Sequence, residues 1–119
     1  MKVLFIDDDS MILRMAGFIM KKGGHEALTA GSCDEGIAQI QELSPQMAFI
    51  DVEMPEKNGF ETLEAIRAEG LGLRVWMMSG TVTEEVVARA KSLGAEGVIE
   101  KPLNAAEVYS ALEEKERRG

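Results

Sequence analysis

The sequence predicts an α/β fold in which a parallel β-sheet is covered by helices on both faces. Short apolar runs alternate with amphipathic stretches along the whole chain. Three of the runs are almost continuously apolar, as expected of parallel strands buried on both faces. Five strand–helix units of this size indicate right-handed crossovers within one sheet. The apolar runs are Val3–Ile6, Ala27–Ala30, Met47–Ile50, Val75–Met78 and Gly97–Ile99.

Each predicted strand leads into a helix with its own start and stop signals. The first helix is expected to begin at Asp9 or Ser10, and the fourth at Thr81 or Thr83. The other three begin at capping boxes, in which an oxygen-bearing N-cap precedes a glutamate by three residues. These boxes are Ser32 with Glu35, Asn58 with Glu61, and Asn104 with Glu107. The helix stops are Gly23-Gly24, Ser44-Pro45, Gly70 and Gly94.

Two further assignments concern packing. The run Ala27–Ala30 is the least hydrophobic of the five and suits a sheet edge. Most of the methionines fall at core spacing, so we assign them to the interior rather than to a binding surface. The methionines so assigned are Met11, Met15, Met47, Met77 and Met78.

Length and charge limit the classes of protein to which the chain can belong. Its 119 residues suit one compact domain, predicted to span 1–119. The formal net charge of −8 argues against electrostatic binding of nucleic acid or anionic lipid. No apolar run approaches the roughly 18 residues of a membrane span, and a lone Cys33 excludes an internal disulfide. We therefore expect a cytoplasmic domain.

Residues with reactive or ligand-binding side chains follow four of the predicted strands. In sheets of this kind, ligands collect at the carboxyl ends of the strands, where the strand order reverses. We therefore expect carboxylates, a hydroxyl and an ammonium group to meet at one edge of the sheet. The residues concerned are Asp7, Asp8 and Asp9, then Asp51, Ser79 and Lys101.

The grouped carboxylates predict a cation site. Two unit charges 4 Å apart repel by ~4 kcal/mol at an effective dielectric constant of ~20. Asp7, Asp8 and Asp51 would therefore hold a proton or bind a cation, and ligands that are all oxygen favour Mg²⁺. With the metal bound, Asp51 stays ionised and is able to attack a phosphoryl group, which gives an aspartyl-phosphate.

The remaining groups at this edge suit the incoming phosphoryl oxygens. The Lys101 ammonium and the Ser79 hydroxyl supply positive charge and a hydrogen-bond donor. Gly80, which follows Ser79, leaves its backbone N–H open to approach. The sequence therefore contains the parts for in-line phosphoryl transfer onto Asp51.

Taken in order, these stretches resemble the receiver domains of two-component response regulators. The resemblance covers Met1–Glu114, and its motifs are very specific in combination although each is weak alone. It implies the flavodoxin-like, doubly wound strand order 2-1-3-4-5. The matching motifs are Asp7-Asp8, the stretch Phe49–Pro55 with Asn58-Gly59, Met77–Gly80, and Gly94-Ala95 leading to Lys101-Pro102.

The resemblance implies a role for each site residue. Asp51 would be the phosphoacceptor, charged by a histidine kinase or a phosphotransfer protein of a phosphorelay. Asp8 and Asp51 would ligate Mg²⁺ directly, Asp7 through water, and Glu53 through its backbone carbonyl. In the same comparison, Ser79 would turn toward the phosphoryl group and Lys101 would pair with it. The bond between Lys101 and Pro102 would be a cis peptide.

Two positions depart from the common pattern of these domains. Val98 stands where relatives usually carry a tyrosine or phenylalanine that acts as a switch. Glu53 lies beside the route of a hydrolytic water, and we hypothesise that its carboxylate alters the lifetime of the phosphoryl group. The resemblance also implies a signalling module rather than an enzyme. Its output surface would be formed by the last two helices and the last strand, would serve an unknown partner or effector domain, and is a candidate for homodimer formation.

Other functions are weighed against this interpretation. The opening stretch also resembles haloacid-dehalogenase-type phosphatases, with Asp7 as nucleophile and Asp9 as acid, but the acidic metal motif expected after Lys101 is missing. A flavin carrier would need a phosphate-binding loop where the sequence has three aspartates. A receiver-shaped interaction domain that never turns over phosphate stays open.

Overall fold

The computed structural model describes the backbone of residues 1–118 and the side chains of residues 1–113. Within these residues, five strands alternate with five helices. The strands are β1 (Lys2–Ile6), β2 (Glu26–Ala30), β3 (Met47–Asp51), β4 (Arg74–Ser79) and β5 (Val98–Glu100). The helices are α1 (Ser10–Lys22), α2 (Cys33–Leu43), α3 (Gly59–Ala68), α4 (Glu84–Ser92) and α5 (Ala105–Arg118).

The strands form one parallel sheet in the order β2-β1-β3-β4-β5. The fold class and strand order expected from the sequence are confirmed, and β2 lies at an edge as its composition indicated. Val3 of β1 pairs with Ala27 on one side and with Met47 on the other, so the chain order reverses at β1. A doubly wound sheet binds ligands beside this point of reversal, at the carboxyl ends of its strands.

Two apolar layers separate the sheet from its helices. One layer lies between the sheet and α2, α3 and α4, and the other lies between the sheet and α1 and α5. In the second layer, the rings of Phe5 and Phe49 stack with their centroids 4.9 Å apart. The sheet is therefore buried on both faces, which is why β1 and β3 are almost wholly apolar in sequence.

The predicted helix starts are observed, but only one of the three predicted capping boxes is complete. At α5, the Asn104 side chain accepts a hydrogen bond from the N–H of Glu107 at 3.2 Å, and the described hydrogen bonds include no reciprocal bond from the N–H of Asn104 to Glu107. Asp9 and Thr83 cap α1 and α4, and Asn58 with Glu61 forms a complete capping box at α3. At α2, the Ser32 hydroxyl accepts a hydrogen bond from the N–H of Glu35, but the Glu35 carboxylate bonds the N–H of Gly31 instead of that of Ser32. Only half of that predicted capping box forms.

The assignment of the methionines to the core is partly wrong. Met47, Met77 and Met78 are fully buried, whereas Met11 is 67% exposed and Met15 is 45% exposed. Helix α1 carries two apolar stripes, and the one that faces the sheet contains Ala16, Ile19 and Met20. Met11 and Met15 share the other stripe with Phe18, so helical spacing alone did not distinguish the buried stripe from the exposed one.

Among the described residues, no helix combines the length and apolar character needed to cross a membrane.

Candidate functional site

Three carboxylates meet at the carboxyl edge of the sheet. Asp7 follows the last residue of β1 and Asp51 is the last residue of β3, and both are essentially buried. Asp8 is exposed beside them. One carboxylate oxygen from each of the three lies within 4.8 Å of the others. This set of oxygen donors fits a hard divalent cation such as Mg²⁺.

Lys101 joins the two buried carboxylates. Its Nζ donates to Asp51 Oδ1 at 3.0 Å and to Asp7 Oδ2 at 3.3 Å. The N–H of Lys101 donates to the carbonyl oxygen of Ser79 at 2.8 Å, which fixes the backbone of the residue beside the end of β4. The bond between Lys101 and Pro102 is cis, as the resemblance implied. Burial lowers the pKa of Lys101, but hydrogen bonding and the charges of Asp51 and Asp7 outweigh this and raise it.

Asp7 is an acid whose ionised form is disfavoured in the folded protein. Burial raises its pKa to about 6 from an ordinary value of 3.8, and the charge of Asp51 adds to the rise. A hydrogen bond from the N–H of Asp9 and the ammonium group of Lys101 act in the opposite direction. The site therefore carries more negative charge than its one lysine offsets, and a bound cation would relieve that excess.

The Ser79 hydroxyl lies in the same region but is engaged within its own loop. It donates to the carbonyl oxygen of Thr81 at 2.8 Å and accepts from the N–H of Thr81 at 3.1 Å. Local bonds of this kind are typical of serine in loops. The structure thus places Ser79 at the predicted edge, but its hydroxyl bonds Thr81, a residue for which the sequence indicated only a possible helix cap.

Gly59 contributes to the site through its lack of a side chain. A Cβ atom built there would lie 2.2 Å from the carbonyl oxygen of Asp51, so the first turn of α3 is packed directly against the end of β3. The N–H of Gly59 also donates to the carbonyl oxygen of Val52 at 2.9 Å. The sequence indicated Asn58 as a helix cap and the Asn58-Gly59 pair as a motif, but it gave Gly59 no role of its own, because the close approach is visible only in three dimensions.

The other predicted positions differ in their relation to the carboxylates. Glu53 is exposed, and its N–H donates to Asp51 Oδ1 at 3.2 Å. Gly80 is exposed, and a Cβ atom there would meet nothing within 4 Å, so space does not require a glycine. Val98 is half-buried and packs against the core layer beneath α2, α3 and α4.

The fold and the site together define a class of protein, namely doubly wound α/β domains with an acidic cluster and a lysine at the carboxyl edge of the sheet. The family model described as the response regulator receiver domain matches residues 3–113. The chain belongs to this family, whose members act in two-component systems.

Known relatives agree with this assignment. The chain is 36% identical over 114 residues to the probable C4-dicarboxylate response regulator DctR of Bacillus subtilis. The aligned region covers 94% of this chain and 50% of DctR. The chain is 31% identical to the acid tolerance regulatory protein ActR of Rhizobium meliloti, covering 92% of this chain and 57% of ActR. The chain thus spans about half the length of the curated relatives it matches.

Solved structures are similar over nearly the whole chain. The chemotaxis protein CheY4 of Vibrio cholerae superposes with a TM-score of 0.88 at 29% identity, covering 95% of this chain and 96% of that one. A CheX–CheY–BeF₃–Mg²⁺ complex from Borrelia burgdorferi contains a chain that superposes with a TM-score of 0.88 at 25% identity, covering 96% of this chain and 87% of that one.

Proposed function

We propose that this domain is a cytoplasmic signalling module that accepts a phosphoryl group on Asp51 from a histidine kinase or a phosphotransfer protein. The observation that carries the proposal is the buried Asp51 carboxylate, which Lys101 contacts at 3.0 Å beside two further aspartates. Both described hydrogen bonds to this carboxylate end on Oδ1, which leaves Oδ2 to form the new bond to phosphorus.

Mg²⁺ is the proposed cofactor. In this proposal Asp8 and Asp51 bind it directly, Asp7 binds through water, and the backbone carbonyl of Glu53 completes the protein ligands. When bound, the ion neutralises the carboxylates and the phosphoryl oxygens. Support comes from the three clustered carboxylate oxygens and from the related complex that contains BeF₃ and Mg²⁺.

The transfer step uses groups of this chain in a defined order. An Asp51 oxygen attacks phosphorus in line with the donor nitrogen, the new O–P bond forms, and the donor's P–N bond breaks. Lys101 then exchanges a carboxylate partner for a phosphoryl oxygen. Ser79 exchanges the carbonyl oxygen of Thr81 for another phosphoryl oxygen, which replaces a neutral hydrogen bond with a charge-assisted one.

The exchange at Ser79 provides the route to an output surface. Ser79 ends β4, and the loop after it reaches Thr83, whose side chain caps α4. Movement of this loop would reposition α4 and alter the surface formed by α4, β5 and α5. We propose that a partner protein, an effector domain or a second copy of the chain recognises that surface.

An exposed apolar stripe beside the site supports a protein as the phosphoryl donor. Met11, Met15 and Phe18 lie on one side of α1, and Met11 and Phe18 are each 67% exposed. Helix α1 begins directly after the aspartates of the site. A donor that delivers a phosphoryl group to Asp51 would lie over this end of the helix.

The proposal is tested by incubating the protein with a small-molecule phosphodonor and Mg²⁺ and measuring its intact mass. We expect addition of one phosphoryl group, which Asp51→Asn abolishes. The phosphatase alternative predicts instead that Asp7 carries the group and that Asp7→Asn abolishes it. Failure of the parent to react under conditions that label a known receiver domain would favour an interaction domain without phosphate turnover.

A further inference from the structure

Helix α4 is held to the rest of the domain by little apolar burial. Among the described residues of α4, Ala90 alone is fully buried. Helix α3, which is of similar length, buries half of its residues. Those residues are Gly59, Phe60, Thr62, Leu63 and Ile66. Val86 of α4 and the C-cap Leu93 are half-buried against the core layer. With so few apolar contacts, a further contact that ties α4 to a neighbouring helix influences where α4 lies.

One such contact joins α4 to α3. The guanidinium carbon of Arg89 lies 4.3 Å from the centroid of the Phe60 ring, which is within the range of a cation–π interaction. Phe60 is only 5% exposed and belongs to the core layer, whereas Arg89 lies on the surface of α4. The ring is thus the fixed partner and the arginine the mobile one.

Phe60 is also fixed relative to the phosphoacceptor. It follows Gly59, the residue packed against the carbonyl oxygen of Asp51. Beyond the far end of α4, Arg67 donates to the carbonyl oxygen of Gly94 at 3.3 Å. Helix α4 is therefore tied at its carboxyl end, its amino end follows the Ser79 loop, and Arg89 joins it to the element beside Asp51.

We propose that Arg89 is a positioning residue that holds α4 in its resting position through Phe60, and that this contact breaks when the Ser79 loop turns inward. The inference rests on the proposed phosphoacceptor function. At β5, the residue beneath α4 is the aliphatic Val98, so no ring is available there to control the helix. The Arg89–Phe60 pair takes that role, and its loss makes the active arrangement easier to reach.

The test measures the affinity for beryllofluoride in the presence of Mg²⁺. The reporter is the fluorescence of Trp76, the single tryptophan of the chain, which lies in β4. We expect Arg89→Gln to bind beryllofluoride about two- to fivefold more tightly than the parent, because an exposed cation–π contact no longer favours the resting state. Loss of a positive charge would by itself weaken the binding of an anion, so the expected sign is diagnostic.

Two further variants make the test specific. Lys91→Gln removes the same charge from an exposed position of the same helix and should not tighten binding. Phe60→Leu removes the ring and should produce the gain of Arg89→Gln, and combining the two changes should add nothing more. Unchanged or weaker binding by Arg89→Gln overturns the inference, as does an equal gain with Lys91→Gln.

Failure of the underlying function is distinguishable. In that case the parent itself gives no saturable, Mg²⁺-dependent response to beryllofluoride, or gives one that persists in Asp51→Asn. Failure of the inference alone leaves the parent's response intact and abolished by Asp51→Asn, while Arg89→Gln binds no more tightly than the parent.

Discussion

Replacing Asp7 with asparagine is expected to stabilise the metal-free domain at neutral pH. Asp7 is fully buried, and its pKa of about 6 means that burial makes its ionised form unfavourable. Asparagine removes the charge and keeps an oxygen that accepts the hydrogen bond from the N–H of Asp9, which is 2.9 Å long in the parent. The variant therefore avoids the free-energy cost of burying a charged carboxylate and keeps the hydrogen bond between residues 7 and 9.

The sign and size follow from the pKa values of the folded and unfolded chain. An acid whose pKa is higher in the folded state stabilises the fold most when it is protonated, below about pH 4. That contribution is lost as the pH rises through 6. At about 1.4 kcal/mol per pKa unit, the full shift corresponds to roughly 3 kcal/mol at pH 7. This value already includes the attraction of Lys101. The amide NH₂ group of asparagine would replace an oxygen that now lies 3.3 Å from the Lys101 ammonium group and would place two donors against each other, so we expect a net gain of about 1–2 kcal/mol.

Urea denaturation in the presence of a chelator measures this difference. The free energy of unfolding of Asp7→Asn relative to the parent should rise between pH 4.5 and pH 7 and then level off, while other titrating groups cancel in the difference. Added Mg²⁺ should reduce the difference in free energy of unfolding between variant and parent, because it stabilises the parent more than the variant. Asp8→Asn, at an exposed position, is the matched control and should change stability by less than about 0.5 kcal/mol. A pH-independent difference, or a variant less stable than the parent at pH 7, would refute the reasoning.

Three other changes probe the same edge of the sheet. Lys101→Met should lower the free energy of unfolding of the metal-free domain by about 2–4 kcal/mol, because Asp7 and Asp51 lose the ammonium group that they share. Urea denaturation measures this, and an unchanged urea midpoint would contradict the observed contacts. Gly59→Ala should lower the free energy of unfolding by about 1–3 kcal/mol and slow phosphorylation by a small-molecule donor, because its Cβ atom would collide with the carbonyl oxygen of Asp51. Gly80→Ala is the control, because space is open there, and it should have neither effect. Glu53→Ala should change the rate at which the phosphorylated protein loses its phosphoryl group, followed by intact mass against time, and identical rates in variant and parent would end that hypothesis.

The fold was predictable because its signals are local. Parallel strands buried on both faces must be apolar at successive positions, and β1 and β3 show this over their whole buried length. The helix starts and stops depend on single side chains, as the caps at Asp9 and Asn58 demonstrate. The meeting of Asp7, Asp51 and Lys101 followed from the rule for the carboxyl ends of parallel strands, without any knowledge of distances.

The sequence did not indicate the contacts between segments that are far apart along the chain, which form in place of local contacts. Arg74 makes a bidentate ion pair with Glu96 at 2.7 and 2.9 Å and also donates to two carbonyl oxygens of α5. In sequence these are two charged residues that would be assigned to the surface. Their partial burial depends on how β4, β5 and α5 pack together, which no local pattern encodes. The Arg89–Phe60 contact was missed for the same reason.

The hydrogen bonds of the site indicate that the proposed switch depends on a bound metal ion. In this structure neither Ser79 nor Lys101 is free, because the hydroxyl bonds Thr81 and the ammonium group bonds both buried carboxylates. Turning toward a phosphoryl group therefore exchanges hydrogen bonds instead of adding them. Such exchanges contribute about 1–2 kcal/mol in total.

A shift from 1:99 to 99:1 in favour of the active arrangement requires ~5.5 kcal/mol. The exchanges at Ser79 and Lys101 supply less than half of that, so most of the difference must come from neutralising the negative charge around Asp51. Phosphorylated protein from which Mg²⁺ is stripped should consequently populate the resting position of α4 to a large extent. Hydrogen exchange of the α4 amides, measured with and without chelator, would detect this, and an exchange pattern that does not respond to the metal would contradict it.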